Sequence, residues 1–111
     1  GEDVRKVILV DGTSVWLRGG STLKYPESYS IRNRQVSLQG EAFFDVIKNA
    51  ESQFCVSTGY MHVLVKGTSF DVKVDVGNKK VETVLVTGKI DLLDIAGNKV
   101  LDVSPGEKVT Y

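Results

Sequence analysis

Apolar and polar residues alternate strictly along residues 70–76, which read FDVKVDV. Successive side chains of a β-strand point to opposite faces of a sheet, so this alternation predicts a strand with one buried face. We expect the apolar residues to face a core and the charged residues to face water. The apolar set is Phe70, Val72, Val74 and Val76, and the charged set is Asp71, Lys73 and Asp75.

The same alternation predicts two further strands, near residues 62–66 and 89–93. In the first, Val63 and Val65 alternate with His62, Leu64 and Lys66; in the second, Ile90 and Leu92 alternate with Lys89, Asp91 and Leu93. Turn-forming pairs separate the apolar runs, because Gly, Asn and Asp reach positive φ at low cost and Pro presets φ. These pairs are Asp11-Gly12, Gly19-Gly20, Tyr25-Pro26, Gly77-Asn78, Gly97-Asn98 and Pro105-Gly106. We interpret residues 48–53, KNAESQ, as a loop.

The composition favours the same structural class. The chain has 18 Val, 5 Ile and 7 Thr, or 30 β-branched residues among 111, against only 3 Ala. Such stiff side chains fit a pleated backbone and lose freedom in a helix. The sequence therefore predicts an all-β fold, and the length predicts one domain over residues 1–111.

Glycines recur inside similar strand–Gly–strand segments. VILVDGTSVWL at residues 7–17 resembles VLVKGTSFDVKV at residues 63–74, and Gly12, Gly40, Gly67 and Gly88 are 28, 27 and 21 residues apart. A glycine within a strand marks a bulge or a corner, and a recurrence of this length suggests stacked units. We therefore expect a short twisted β-solenoid-like stack with these glycines, and Gly106, as structural turns. The alternative is a two-sheet antiparallel β-sandwich.

The charge pattern excludes an obvious polyanion-binding surface. The 14 Lys and Arg balance the 14 Asp and Glu, so no field of one sign would steer nucleic acid or an anionic membrane to the chain. Residues 32–34, Arg-Asn-Arg, form the densest basic group, and we interpret them as a solvated loop. No apolar run approaches the roughly 20 residues of a membrane span.

The glycine-rich stretch LVDGTSVWLRGGSTLKYP does not fit a phosphate-binding loop. Gly12 and Gly19 lie seven residues apart without a Lys after the second glycine, and no helical pattern follows. The dinucleotide pattern GxGxxG is absent. We interpret Val15-Trp16-Leu17 as a buried strand between two turns.

Residues that could support metal binding or catalysis are sparse. The only His and the only Cys are His62 and Cys55, so we expect no metal site and no cofactor. Cys55 is predicted to be a free, half-buried thiol, and His62 an ordinary surface or edge residue. Asp71, Asp75 and Asp91 are assigned to solvent-facing positions. No spacing singles out a catalytic pair from the other candidate carboxylates, which are Glu41, Asp45, Asp71 and Glu82.

The aromatic residues are compatible with a carbohydrate-binding surface. The set comprises Trp16, Tyr25, Tyr29, Phe43, Phe44, Phe54, Tyr60, Phe70 and Tyr111. Most are expected to fill the core, because rings supply much of the buried area of a small β domain. Tyr25, Tyr29 and Phe43 are the candidates for exposed rings that stack on sugars.

Five blocks of the chain resemble the periplasmic domain of the FecR family. They are VDGTSVWLRGGSTLKYPE, VSLQGEAFFDVIK, FCVSTGYMHVLVKGTSFDVKV, ETVLVTGKIDL and SPGEKV, and they occur in the family's order between Val10 and Lys108. The sequence is rich in Lys and Val, and in this it is similar to members from gut Bacteroidetes. Each block is a structural signature and none is a reactive one. The resemblance implies a short twisted β-solenoid and a regulatory role.

The resemblance further implies a non-catalytic domain in the periplasm, within a single-pass inner-membrane anti-sigma factor. Such a protein relays the state of a TonB-dependent outer-membrane transporter to an extracytoplasmic-function sigma factor. The transporter's signalling domain would be the protein partner, through a further C-terminal domain, and the sigma factor would bind a further N-terminal region. We expect the chain to be a domain excised from this larger regulator, without direct membrane insertion. Its partner-binding residues are not predicted, and a carbohydrate-binding module is the alternative function.

Overall fold

The computed structural model describes residues 3–49 and 51–111, which form twelve strands and no helix. No helix long and apolar enough to cross a membrane occurs among them. The strands are β1 (Val4–Ile8), β2 (Ser14–Arg18), β3 (Thr22–Lys24), β4 (Arg34–Gln39), β5 (Glu41–Asp45), β6 (Phe54–Ser57), β7 (Met61–Val65), β8 (Ser69–Asp75), β9 (Lys80–Thr87), β10 (Ile90–Asp94), β11 (Lys99–Val103) and β12 (Lys108–Thr110). The predicted all-β class is confirmed, and the described part of residues 48–53 is the predicted loop.

The strands form two six-stranded sheets. Sheet A has the order β1-β2-β5-β8-β9-β12, and sheet B has the order β11-β10-β7-β6-β4-β3. Among the described strands, β4 and β6 form the parallel pair and the other pairings are antiparallel. Neither sheet closes on itself. The two-sheet alternative fits this arrangement. The β-solenoid-like stack is not shown, because a stack of coils would place equivalent strands in parallel.

The chain crosses between the sheets six times, because its strands alternate in short groups along the sequence: β1-β2 in A, β3-β4 in B, β5 in A, β6-β7 in B, β8-β9 in A, β10-β11 in B and β12 in A. Gly40, Gly67, Gly88 and Gly106 lie in the connections that cross, whereas Gly12 lies in the β1–β2 hairpin within sheet A. The repeated strand–Gly–strand outline of the sequence therefore reflects repeated passages between two sheets.

The core lies between the sheets and follows the predicted alternation. Val63, Val65, Ile90 and Leu92 are buried as expected. In β8, the burial of Phe70, Val72 and Val74 confirms the predicted inner face. The expectation for Val76 was wrong: it is 63% exposed, because β8 ends at Asp75 and the chain turns there.

Three phenylalanine rings in contact, one stacked pair and one edge-to-face pair, join the two sheets in the core. Phe44 of β5 lies 5.1 Å from Phe70 of β8 with nearly parallel rings, and 5.8 Å from Phe54 of β6. All three are fully buried. Each buried phenylalanine contributes roughly 1.5–3 kcal/mol of transfer free energy, so this cluster is a principal source of the attraction between sheets A and B.

Gly40 is the corner between β4 and β5, where the chain passes from sheet B to sheet A. Its φ of +96° lies in the region that residues with a Cβ rarely adopt. A Cβ at this position would overlap the side chain of Ser21, with Cβ to Cβ at 2.8 Å. Ser21 cannot simply turn away, because its hydroxyl accepts a hydrogen bond from the Glu41 N–H at 2.9 Å.

We predict that Gly40→Ala destabilises the domain by about 3 kcal/mol, from backbone strain together with displacement of Ser21. Gly20→Ala is the matched control, because Gly20 has a φ of +79° but no atom within 4 Å of the added Cβ. The control should show only the backbone term, about 1 kcal/mol. Urea unfolding of both variants measures the difference; equal losses would contradict the role of the overlap.

Candidate functional site

Arg34 is the most deeply buried charged side chain among the described residues, with 1% of its surface exposed. It starts β4, and its guanidinium reaches across to the residue 46–53 loop that connects β5 and β6. Nη1 donates to the Ile47 carbonyl at 2.7 Å, and Nη2 donates to the Lys66 carbonyl at 3.1 Å. Nε donates to the Ser52 carbonyl at 3.1 Å, and Nη2 donates to the same oxygen. The prediction of a solvated loop at residues 32–34 was therefore wrong for Arg34.

Asp11 supplies the counter-charge from the β1–β2 turn. Its Oδ2 lies 3.3 Å from Arg34 Nη1, and its side chain is also almost fully buried. The other contacts come from Tyr29, whose hydroxyl donates to Oδ1 at 3.0 Å, and from Thr13, whose hydroxyl donates to Oδ2 at 2.8 Å. Burial and the negative charge of Asp11 raise the pKa of Tyr29, so its phenol remains a donor.

These four residues, Asp11, Thr13, Tyr29 and Arg34, form what we call the Arg34 hub. The hub ties the β1–β2 turn of sheet A, the start of β4 in sheet B and the residue 46–53 loop into one unit. An arginine suits this position, because its fixed fork of five donors can satisfy several carbonyls and a carboxylate together. The hub thereby fixes the positions of the β1–β2 turn and of the loop between β5 and β6 relative to each other.

We predict that Arg34→Met destabilises the domain by about 3–5 kcal/mol, because it leaves the Asp11 carboxylate buried without its counter-charge and loop carbonyls buried without their donor. Arg32→Met is the matched control: Arg32 belongs to the same basic group but is exposed, so its change should stay within about 0.5 kcal/mol. Chemical denaturation of the two variants provides the measurement. Similar midpoints for both would show that the hub contributes little.

The outer face of sheet B carries a groove of about 520 Å³. Its walls include Tyr25, Cys55, Ser57, His62 and Leu93. Cys55 is free and half-buried, as predicted, and burial raises the pKa of its thiol. Ser57 pairs with His62 across β6 and β7, but no carboxylate lines this groove. The groove thus lacks the acid of a Ser–His–acid set.

Among the described residues, no group of three or more His, Cys, Asp or Glu side chains is placed to hold a metal ion. His62 Nδ1 is buried without a hydrogen-bond partner. His62 lies half-buried in an outward-facing position of β7, as the alternation predicts. Of the two interpretations, a surface residue or an edge residue, the second is wrong, because β7 has a neighbour on both sides.

The outer face of sheet A carries aromatic side chains together with acidic and basic ones. Trp16 of β2 packs against Phe43 of β5, with ring centroids 5.7 Å apart, and Lys6 Nζ lies 5.2 Å from the centre of the indole ring. Trp16 was expected in a buried strand. Only its neighbours Val15 and Leu17 are buried, because the strand alternation places the indole on the outer face.

Asp71 adjoins Phe43 on this face and lies diagonal to Glu41 on β5 and to Glu82 on β9. Burial is the largest cause that raises its pKa, to about 7, followed by a shared hydrogen bond with Glu41 and the charge of Glu41. Arg18 opposes the rise and Glu82 adds to it. Two of the four candidate carboxylates, Asp71 and Glu41, thus lie close enough for the charge of Glu41 to disfavour ionisation of Asp71.

We predict that Asp71→Asn stabilises the domain at pH 8 by about 1–2 kcal/mol and has little effect at pH 4. The folded state retains the Asp71 proton after the unfolded chain, with a pKa near 3.9, has lost it, so stability falls between about pH 4 and pH 7. Asn removes that loss. We expect Asp75→Asn to lower stability at pH 8 instead, because hydrogen bonds from Asn78 stabilise the charged form of Asp75 and lower its pKa. Unfolding across this pH range tests both; a pH-independent gain for D71N would contradict the mechanism.

The candidate sugar-stacking rings do not share one surface. Tyr25 is 50% exposed beside the sheet B groove, Tyr29 is buried in the Arg34 hub, and Phe43 lies half-buried on the outer face of sheet A. The stacking partner of Phe43 is Trp16, which sequence reasoning assigned to the core. Strict alternation along β2 was the feature that could have identified it.

The sheet edges carry features that hinder indiscriminate strand pairing. Arg5 of β1 pairs with the buried Leu17, so a charged side chain lies on the inner side of that edge. The β11 edge has a bulge opposite Leu92 and Leu93, and Lys99 Nζ lies 2.7 Å from Asp102 Oδ1. Strands β3 and β12 have three residues each. Such features hinder the addition of a strand at the edges, which leaves the faces and loops as the accessible surfaces for contact.

The sequence matches the family model described as FecR protein over residues 2–91. Among curated proteins, none matches the chain.

Two crystal structures from Parabacteroides distasonis ATCC 8503, each of a "putative anti-sigma factor", are similar to the chain over 99% of its length. The structure at 1.65 Å resolution has 29% sequence identity and a TM-score of 0.82. The structure at 2.50 Å has 30% identity and a TM-score of 0.82. The match covers 56% and 55% of those two chains, so this chain spans little more than half their length.

Proposed function

The chain belongs to the FecR family, and we propose on that premise that it is the non-catalytic signal-transducing domain of an anti-sigma factor. In this proposal, it forms the periplasmic part of a single-pass inner-membrane protein. It relays the state of a TonB-dependent outer-membrane transporter to an extracytoplasmic-function sigma factor. The transporter's signalling domain is its protein partner, and the sigma factor binds a region of the regulator that precedes this domain.

The observation that carries the proposal is the structural likeness over 99% of the chain to a "putative anti-sigma factor". The greater length of that relative supports the idea that this domain works within a larger regulator. FecR proteins are a regulatory class, and the sheet B groove offers no acid beside His62. Both points favour a role in contact between proteins over a role in chemistry.

The fold supports a relay by a stiff body. Because the chain crosses between the sheets six times, each sheet is held by segments from the whole length of the chain. The Arg34 hub fixes the β1–β2 turn and the loop between β5 and β6 in the same way, since one side chain bonds to four carbonyls and a carboxylate. A displacement imposed by a partner at one end would therefore reach the other end without being absorbed within the domain.

We predict that Arg34→Met in the full-length regulator abolishes the response of a sigma-dependent reporter to the inducing signal, whereas Arg32→Met leaves it intact. The physical reason is the loss of the buried hub, which only the first variant removes. The measurement is reporter output with and without the inducer, alongside the amount of each regulator in the membrane. A normal response from a regulator whose domain is unfolded would contradict the proposal.

Direct binding provides the second test. The 111-residue chain, and the regulator's whole periplasmic part, are titrated with the signalling domain of the transporter encoded beside it. We expect at least the longer protein to bind. If neither binds and a glycan binds instead, the chain is a carbohydrate-binding module. The Trp16–Phe43 pair favours that second candidate, and glycan binding lost in Trp16→Ala or Tyr25→Ala would establish it.

A further inference from the structure

A pocket of about 330 Å³ adjoins the sheet B groove, with which it shares Leu64. Three lysines line it: Lys48 from the loop between β5 and β6, Lys66 directly after β7, and Lys89 directly before β10. The half-buried Leu64 of β7 adds an apolar side chain to the lining. We call this site the lysine pocket.

Close backbone packing brings the three lysine-bearing segments together. A Cβ on Gly67 would lie 2.6 Å from the Lys48 Cα, and a Cβ on Gly88 would lie 2.8 Å from the Gly67 carbonyl oxygen. Each glycine therefore permits an approach that any other residue would prevent. The Thr68 hydroxyl donates to the Lys89 carbonyl at 3.2 Å and completes the connection between the second and third segments.

The Arg34 hub holds the first segment in this arrangement. The Lys66 carbonyl accepts from Arg34 Nη2 at 3.1 Å and from the Asn49 N–H at 3.0 Å. The backbone after Lys48 is thereby bound to Lys66 at the end of β7, and the Ile47 carbonyl before it accepts from Arg34 Nη1 at 2.7 Å. The lysine pocket is built by buried contacts, although the ammonium groups themselves are exposed.

The positive charge of the lysine pocket is not neutralised within the described part of the chain, where none of its three lysines has a carboxylate within 4 Å. One carboxylate, Asp91, also lines the pocket. Its Oδ1 lies 3.7 Å from Lys99 Nζ on the neighbouring strand β11, and that ammonium group lies closer to Asp102 Oδ1, at 2.7 Å. Three cations thus face one anion in the pocket.

We propose that the lysine pocket binds an acidic, partly apolar segment of a protein partner. Carboxylates of the segment would pair with Lys48, Lys66 and Lys89, and an apolar side chain would pack on Leu64. This apolar contact favours a peptide over a free phosphate, which gains nothing from Leu64. The proposal rests on the proposed function in one respect, since that function supplies the protein partner.

The test uses the 111-residue chain and a short capped peptide in which Glu and Leu alternate, followed by isothermal titration and by amide NMR shifts. We expect the shifts to centre on Gly67 and Gly88, and the affinity to fall as salt rises from about 0.01 M to about 0.15 M. The triple variant K48Q/K66Q/K89Q should weaken binding about tenfold. Asp91→Asn should strengthen it about twofold, because it removes the opposing charge.

Two matched controls separate binding at the lysine pocket from a general effect of net charge. The variant K24Q/K79Q/K80Q carries the same change in net charge away from the pocket and should bind as the unaltered chain does. A peptide with Gln in place of Glu should not bind. Equal binding by the two triple variants, binding of the Gln peptide, or binding of inorganic phosphate without the acidic peptide would each overturn the proposal. This test uses no signalling partner. Its failure would therefore overturn the lysine pocket proposal without deciding the reporter response of the regulator.

Discussion

A guanidinium group taken out of water must recover every hydrogen bond that it gave up, and Arg34 does so only if several distant segments meet around it. Its partners come from the β1–β2 turn, the residue 46–53 loop and the end of β7. Burial of an unpaired charge costs several kcal/mol, so the segments are bound together or the domain does not fold. The same contacts hold Lys48 beside Lys66, and the lysine pocket therefore depends on the hub.

The two outer faces differ in chemistry, although the sheets that carry them share one core. Sheet A presents Trp16, Phe43 and Asp71, whose pKa is raised to about 7. Sheet B presents a groove around His62 and Cys55 that no carboxylate lines. A regulatory domain with distinct faces can contact more than one protein without competition between them. The lysine pocket is a third distinct surface.

Much of the fold was predictable because β-strands leave a local pattern. Alternation identified β7, β8 and β10, and it placed Phe70, Val72 and Val74 in the core correctly. The sheet order was not predictable, since a strand–Gly–strand segment looks alike whether the chain continues a coil or crosses between two sheets. Gly12 shows the ambiguity: its segment resembles that of Gly67, yet it lies in a hairpin.

The candidate site was harder to predict, because charged residues belong on the surface by default. Nothing near Arg34 distinguishes it from Arg32, since its partner Asp11 lies 23 positions away and its other acceptors are backbone carbonyls. The lysines of the pocket are also far apart in sequence. Their convergence follows from glycine-mediated packing, which local pattern cannot show.

The parallel pairing of β4 with β6 has a consequence for how the chain folds. Between these neighbours the backbone leaves sheet B, builds β5 in sheet A and returns, so the pair cannot form as a local hairpin. Non-local pairings of this kind slow folding, because loop entropy is lost before the contacts form. During folding, the apolar faces of these strands would thus stay exposed for longer than those of a simple β-meander.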